Sequence, residues 1–222
     1  EREHLALAAA SKRLSDLEAR FGVPLFERRA RGVEPTEAGR ALVRQFVLVR
    51  EADRMGYDDI WFGEQHFDNA WPQGAIMALL GHLAAASSKA RIGAMALMPA
   101  LREAVSLAEE VATLDLLSKG RFELGVASGA AFAATLQSRG LDAAQARVQM
   151  RAVLDQLAST LGGQPVPGTT PPVPLVPTPA QPAVPMWMAA DDEQSLRYAA
   201  ARGWGLMAAA THTRERVARA VR

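Results

Sequence analysis

Apolar residues recur at three- and four-residue steps between Leu5 and Phe21, through Leu7, Ala10, Leu14 and Leu17. That spacing predicts an amphipathic helix, and Gly22 supplies its stop. Val23-Pro24-Leu25-Phe26 then reads as a short apolar turn or strand. The run from Glu27 to Val33 has the length and glycine placement of a hairpin. Pro35-Thr36-Glu37 opens a second helix with Thr36 as its N-cap. Its periodicity runs through Ala41, Leu42, Phe46, Val49 and Ala52 to Gly56 without a break. Beyond it the pattern changes. Asp59 to Gly63, Ala90 to Met98, Arg121 to Ala127 and Val184 to Ala190 are apolar runs without polar alternation, and Gly205 to Ala209 is a further strand candidate. Helices are predicted between them, over Ala75 to Ser87, Glu103 to Leu117, Asp142 to Leu161 and Gln194 to Arg202. Buried strands each followed by a helix predict a parallel sheet covered on its faces. Gly162 to Pro185 is dense in proline, which cannot donate ladder hydrogen bonds. It reads as a long surface excursion, an insertion or a partly disordered loop rather than an SH3-type ligand.

Composition narrows this only a little. A chain of 222 residues, 49% hydrophobic and 22% charged, holds one large or two small soluble domains. A net charge of +1 gives no whole-chain attraction to nucleic acid. The charge is uneven, however: Lys12, Arg13, Arg20, Arg28, Arg29, Arg31, Arg40 and Arg44 crowd the N-terminal stretch. Such crowding is either a solvated helix face or a local phosphate-binding surface. With no cysteine, thiolate metal sites and disulfides are excluded. The histidines His4, His66, His82 and His212 show no H-x-x-x-H pairing, so no metal site is expected. No apolar run is long enough to span a bilayer and Glu1-Arg2-Glu3-His4 is no signal peptide, so a cytoplasmic protein without a membrane partner is expected.

Two sets of motifs add a family-level reading. Ala9-Ala10-Ser11-Lys12-Arg13-Leu14-Ser15-Asp16-Leu17-Glu18, Phe21-Gly22-Val23-Pro24-Leu25-Phe26-Glu27-Arg28 and Pro35-Thr36-Glu37-Ala38-Gly39 together resemble the LysR-type transcriptional regulators. The resemblance implies a recognition helix, a hairpin wing and the start of a linker helix. Ser11, Lys12 and Arg13 would then lie near the major groove, and Arg28, Arg29 and Arg31 would meet phosphates. The helices that pack behind a recognition helix do not appear in the sequence, so DNA binding without sequence-specific readout is expected.

The second set is more extensive. Glu51 to Phe67, with Gly63-Glu64-Gln65-His66-Phe67 at its end, Leu114 to Gly129, and Pro185 to Ala190 followed by Ala200 to Gly205, resemble the bacterial luciferase-like monooxygenases. That family implies a TIM barrel with its site at the C-terminal ends of the strands. It also implies reduced flavin mononucleotide (FMN) acting with O2 on a small organic substrate, or a deazaflavin as the cofactor in a sister branch. By the resemblance Gln65 occupies the place of the family's catalytic histidine and cannot act as a base, while His66 is either catalytic or structural. Ala94, Met95 and Ala96 match the strand end where the flavin ring packs. Ser128 and Gly129 match a strand end near the phosphate, where some members place an arginine. Ala189, Ala190 and Asp191 match a phosphate-binding turn before a helix N-terminus. Asp191 and Asp192 there either repel a phosphate or cap the helix.

The resulting expectation is an α/β chain: a partial TIM barrel over residues 46–222 behind an α-rich winged-helix remnant over residues 1–45. The resemblance spans about 175 residues where a whole barrel needs about 250, so an incomplete, impaired flavin-dependent oxidoreductase is expected. A regulator fragment and a hybrid without activity are the alternatives, and homodimerisation stays open.

Overall fold

The computed structural model describes residues 12, 15, 26–29, 32–67, 73–190 and 192–207. The chain divides into two compact units, Glu1–Glu51 and Ala52–Arg222.

In the first unit, strands β1 (Phe26–Arg29) and β2 (Gly32–Pro35) form an antiparallel hairpin in which Arg28 faces Val33 and Arg29 faces Gly32. Helix α1 (Glu37–Met55) follows. Thr36 starts it as the sequence predicts: its Oγ1 accepts from Gly39 N at 3.1 Å and its carbonyl accepts from Arg40 N at 2.8 Å. This satisfies donors that the first turn otherwise leaves open. The helix predicted between Leu5 and Phe21 lies almost wholly outside the described residues, although Lys12 and Ser15 are helical.

The second unit is a five-stranded parallel sheet in chain order, β3 (Asp59–Phe62), β4 (Arg91–Leu97), β5 (Phe122–Ala127), β6 (Met186–Ala189) and β7 (Gly205–Met207). Its helices are α2 (Ile76–Ala84), α3 (Ala104–Leu117), the short α4 (Ala133–Gln137), α5 (Ala143–Leu161) and α6 (Glu193–Ala200). A 3₁₀ turn, Pro99–Leu101, follows β4. Neither this turn nor α4 is visible in the apolar periodicity, because each is too short to show one. Sequential strand order with a helix between neighbours is the arrangement of a β/α barrel wall.

The side chains sort by parity. Ile92, Ala94, Phe122, Leu124, Val126 and Met188 are at most 1% exposed, and Leu80, Leu83, Leu107, Val111, Leu154 and Leu157 supply the helical side of the core. Trp61, Gly93, Glu123, Gly125, Trp187 and Gly205 occupy the alternate positions, on the other face. There the two indoles meet edge to face with centroids 6.0 Å apart. A Cβ on Gly93 would overlap the Trp61 ring, and one on Gly205 would overlap Trp187.

Helix α2 departs from the sequence expectation, and the proline-rich excursion takes one of the readings left open. Helix α2 ends at Ala84 rather than Ser87, because Asp53 draws the following residues into a turn. Its carboxylate accepts from the backbone N–H groups of Ser88, Lys89 and Ala90 and from both serine hydroxyls. The proline-rich excursion is ordered and tied down. Leu175 is buried, Val166 N donates to Val173 O at 2.8 Å, and Gln181 is held by the wholly buried Asp115 through its N (2.8 Å) and Nε2 (2.7 Å). Gln181 also accepts from Arg91, whose Nε is paired with Glu123. No described helix is long and apolar enough to cross a membrane.

Candidate functional site

Because the strands are parallel and in sequence order, their C-terminal ends form one edge. The sequence-predicted residues of the second unit gather there. Gln65 and His66 follow β3, Met95 and Ala96 lie near the end of β4, Ser128 and Gly129 follow β5, and Ala189 and Ala190 end β6. Of the residues singled out as candidates, Ser11, Arg13, Arg31 and Asp191 lie outside the described residues. Lys12 is exposed in a helical turn, and Arg28 and Arg29 belong to β1.

The register between β4 and β5 shifts between Ala94 and Leu97, and the Met95–Ala96 peptide inside that shift is cis. The bend turns Met95 outward to 45% exposure and leaves Ala96 half-buried, while Ala94 is 0% exposed and belongs to the core. Of the predicted trio, Met95 and Ala96 therefore present surface and Ala94 supports them from behind. Gly63 permits the close approach of β3: a Cβ there would come within 3.0 Å of the Met95 carbonyl oxygen. Gly129 is buried with φ +74, and a Cβ on it would strike Met98 Sδ at 2.6 Å. Ser128 is half-buried, and its Oγ accepts from Ala130 N at 3.3 Å.

Beside Ala190, Asp192 is the N-cap of α6 and accepts from Ser195 N at 2.9 Å. Arg147, on α5, approaches the same carboxylate with its Nε 3.4 Å from Oδ2. Burial raises the Asp192 pKa, but hydrogen bonding from Ser195 and the charges of Arg147 and Arg151 outweigh it, so the net shift is downward. Arg147 Nε makes no hydrogen bond among the described residues, and Arg151 Nη1 is buried without a hydrogen-bond partner there. The start of α6 thus carries the Asp192 carboxylate beside Arg147, while Arg147 Nε and Arg151 Nη1 keep donors without a hydrogen-bond partner among the described residues. Neither arginine was singled out from the sequence. The available signal was their four-residue spacing, which puts both on one face of a helix following Ser128-Gly129.

Glu64 was the other omission. Its side chain is 1% exposed, yet it accepts from Met98 N and from Arg102 Nη2, each at 2.6 Å, and lies 3.1 Å from His66 Nε2. The backbone of Gln65 pairs with Gln73 in an isolated bridge.

Fold and edge together are those of a β/α-barrel protein. The model of the luciferase-like monooxygenase family matches residues 19–222, and the chain belongs to that family. The oxygenase component of the flavin-dependent trigonelline monooxygenase of Acinetobacter baylyi is 29% identical over 175 residues, covering 74% of this chain and 48% of that protein. The monooxygenase RslO1 from Streptomyces bottropensis superposes with a TM-score of 0.75 at 23% identity, over 82% of this chain and 58% of its own. The oxygenating constituent of 3,6-diketocamphane monooxygenase from Pseudomonas putida, solved with FMN, superposes with a TM-score of 0.63 at 17% identity, over 81% and 52%. The chain thus spans about half the length of these proteins.

Proposed function

We propose that the strand C-terminal edge binds reduced FMN for oxidation of a small organic substrate with O2; a phosphate-bearing deazaflavin held there would instead exchange a hydride with its substrate. The observation that carries this reading is Arg147 beside Asp192 at the α6 N-terminus, with Arg151 one turn further along α5 and with Arg147 Nε and Arg151 Nη1 lacking hydrogen-bond partners among the described residues. The residues fit such a group. Two guanidiniums and a helix N-terminus suit a phosphate. The half-exposed bend at Met95 and Ala96, kept close to β3 by Gly63, suits the flat ring. Bound reduced flavin would supply the electrons for the reaction with O2. Arg147 and Arg151 would hold its phosphate, Ala189 and Ala190 would line the turn beside it, and His66 would face the reaction from the β3 side. Gln65, an amide, moves no proton, so proton transfer at this edge falls to another residue. The test is anaerobic titration of the chain with reduced FMN. Saturable binding weakened at least tenfold in Arg147→Ala supports the assignment, and unchanged binding removes the phosphate from these arginines.

The hairpin β1–β2 followed by a Thr36-capped helix favours a second, separate role for the first unit. We infer that this hairpin, with Arg28 and Arg29 on β1, attracts DNA phosphates without reading sequence. Binding that falls steeply with salt and is equal for unrelated duplexes is the expected result. A salt-resistant complex selective for one sequence contradicts it.

A further inference from the structure

Glu64 closes a set of contacts that fixes the chemistry of His66. Its Oε2 accepts from Met98 N at 2.6 Å, and its Oε1 accepts from Arg102 Nη2 at 2.6 Å while lying 3.1 Å from His66 Nε2. A backbone N–H and a guanidinium can only donate, so both carboxylate oxygens act as acceptors and His66 is left to donate to Oε1. The hydrogen between Glu64 and His66 therefore sits on Nε2. In the neutral ring that leaves Nδ1 bare. Among the described residues no hydrogen bond reaches Nδ1. The backbone beside it is Gly74, where a Cβ would come within 3.2 Å of Nδ1 and 3.7 Å of the Gln65 carbonyl. A side chain at that position would crowd Nδ1, and the His66 side chain is 16% exposed.

Glu64 also brackets the bend at the end of β4. Its N donates to Ala96 O at 3.4 Å and its side chain takes Met98 N. His66 is thus tied to the segment that carries Met95 and Ala96.

We propose that Glu64 is a positioning residue, locked by Arg102 and Met98 N, that holds His66 in the Nε2–H tautomer. On the flavin-dependent reading above, Nδ1 is then the proton acceptor of the site. A proton from the bound substrate moves to Nδ1, and the imidazolium so formed keeps its Nε2–H on Glu64. His66 with Glu64 behind it supplies the acid–base function that Gln65 cannot.

The tautomer is read directly by two-bond ¹H–¹⁵N correlation of the full-length chain labelled with ¹⁵N-histidine. The sample contains no flavin and is held above the imidazole titration, with His66 assigned by its loss in His66→Gln. Wild type should show a protonated Nε2 and a bare Nδ1. In Glu64→Gln, whose amide cannot accept from all three donors, the two nitrogens should move toward the averaged shifts of a mixed tautomer, and Glu64→Asp should restore part of the difference. A wild-type His66 protonated at Nδ1, or a tautomer unmoved in Glu64→Gln, overturns the proposal. If that variant does not fold, the wild-type spectrum still decides the tautomer. Because flavin is absent, the outcome is independent of whether the FMN titration succeeds.

Discussion

At Asp53 a single carboxylate takes three backbone N–H groups and two hydroxyls from the turn Ser87 to Ala90. Its pKa is held below the usual carboxylate range, chiefly by the Ala90 N–H. A depressed folded-state pKa means that the stabilisation is complete above about pH 4 and is lost as pH falls through the folded value. Asp53→Ala should therefore destabilise by ~1–3 kcal/mol at neutral pH, measured by urea unfolding, and the gap from wild type should close on acidification. A gap independent of pH would show that the carboxylate's charge is not what holds the turn. Gly93 is constrained differently, by the Trp61 ring lying over it. Gly93→Ala should cost ~1–3 kcal/mol as an overpacking substitution, and the same urea curves would show it. At this scale the sequence was only partly legible. Gln65, His66, Met95 and Ala96 could be placed from their motifs. Glu64 could not, since its role depends on Arg102, which lies 38 positions away. Asp53 reaches 34 to 37 residues ahead for the same reason.

Elements were more legible, because their signals are local. Glu103 and Asp142, read as the first residues of helices, are the N-caps of α3 and α5, and Asp142 forms a reciprocal capping box with Gln145. The proline-rich excursion is the instructive case. Proline density correctly excludes regular structure, but it carries no information about anchoring, which comes from Gln181 on the buried Asp115. Gln181→Ala should leave the sheet intact and make residues 163–185 at least several-fold more sensitive to limited proteolysis. Equal cleavage rates would place the anchor elsewhere in the loop. Asp192 left two readings open, and the structure shows it as the α6 cap, partnered by Arg147. Serine also caps helices well, so Asp192→Ser should keep α6 while releasing Arg147 for a phosphate. Tighter FMN binding, by roughly 1 kcal/mol for one removed like charge, is expected by fluorescence titration. Weaker binding would mean that Asp192 contacts the ligand favourably.

For the molecule as a whole, periodicity alone gave strands and helices in the order of a parallel β/α wall, and the structure pairs the five strands in that order. Motif order gave the family, which the match over residues 19–222 confirms. The Arg147–Asp192 pair was hidden because it joins α5 to the start of α6 across the excursion, and only the folded chain brings Arg147 to Asp192. The central claim is that Arg147 and Arg151 hold the phosphate of a flavin whose ring lies at Met95 and Ala96. The most direct measurement compares reduced FMN with reduced riboflavin, which lacks the phosphate, for the wild-type chain and for Arg147→Ala with Arg151→Ala. FMN should bind wild type at least tenfold more tightly than riboflavin does, a difference of about 1.4 kcal/mol, and the double variant should bind the two flavins alike. Equal affinities in wild type, or a preference for FMN that survives the loss of both arginines, would contradict the account.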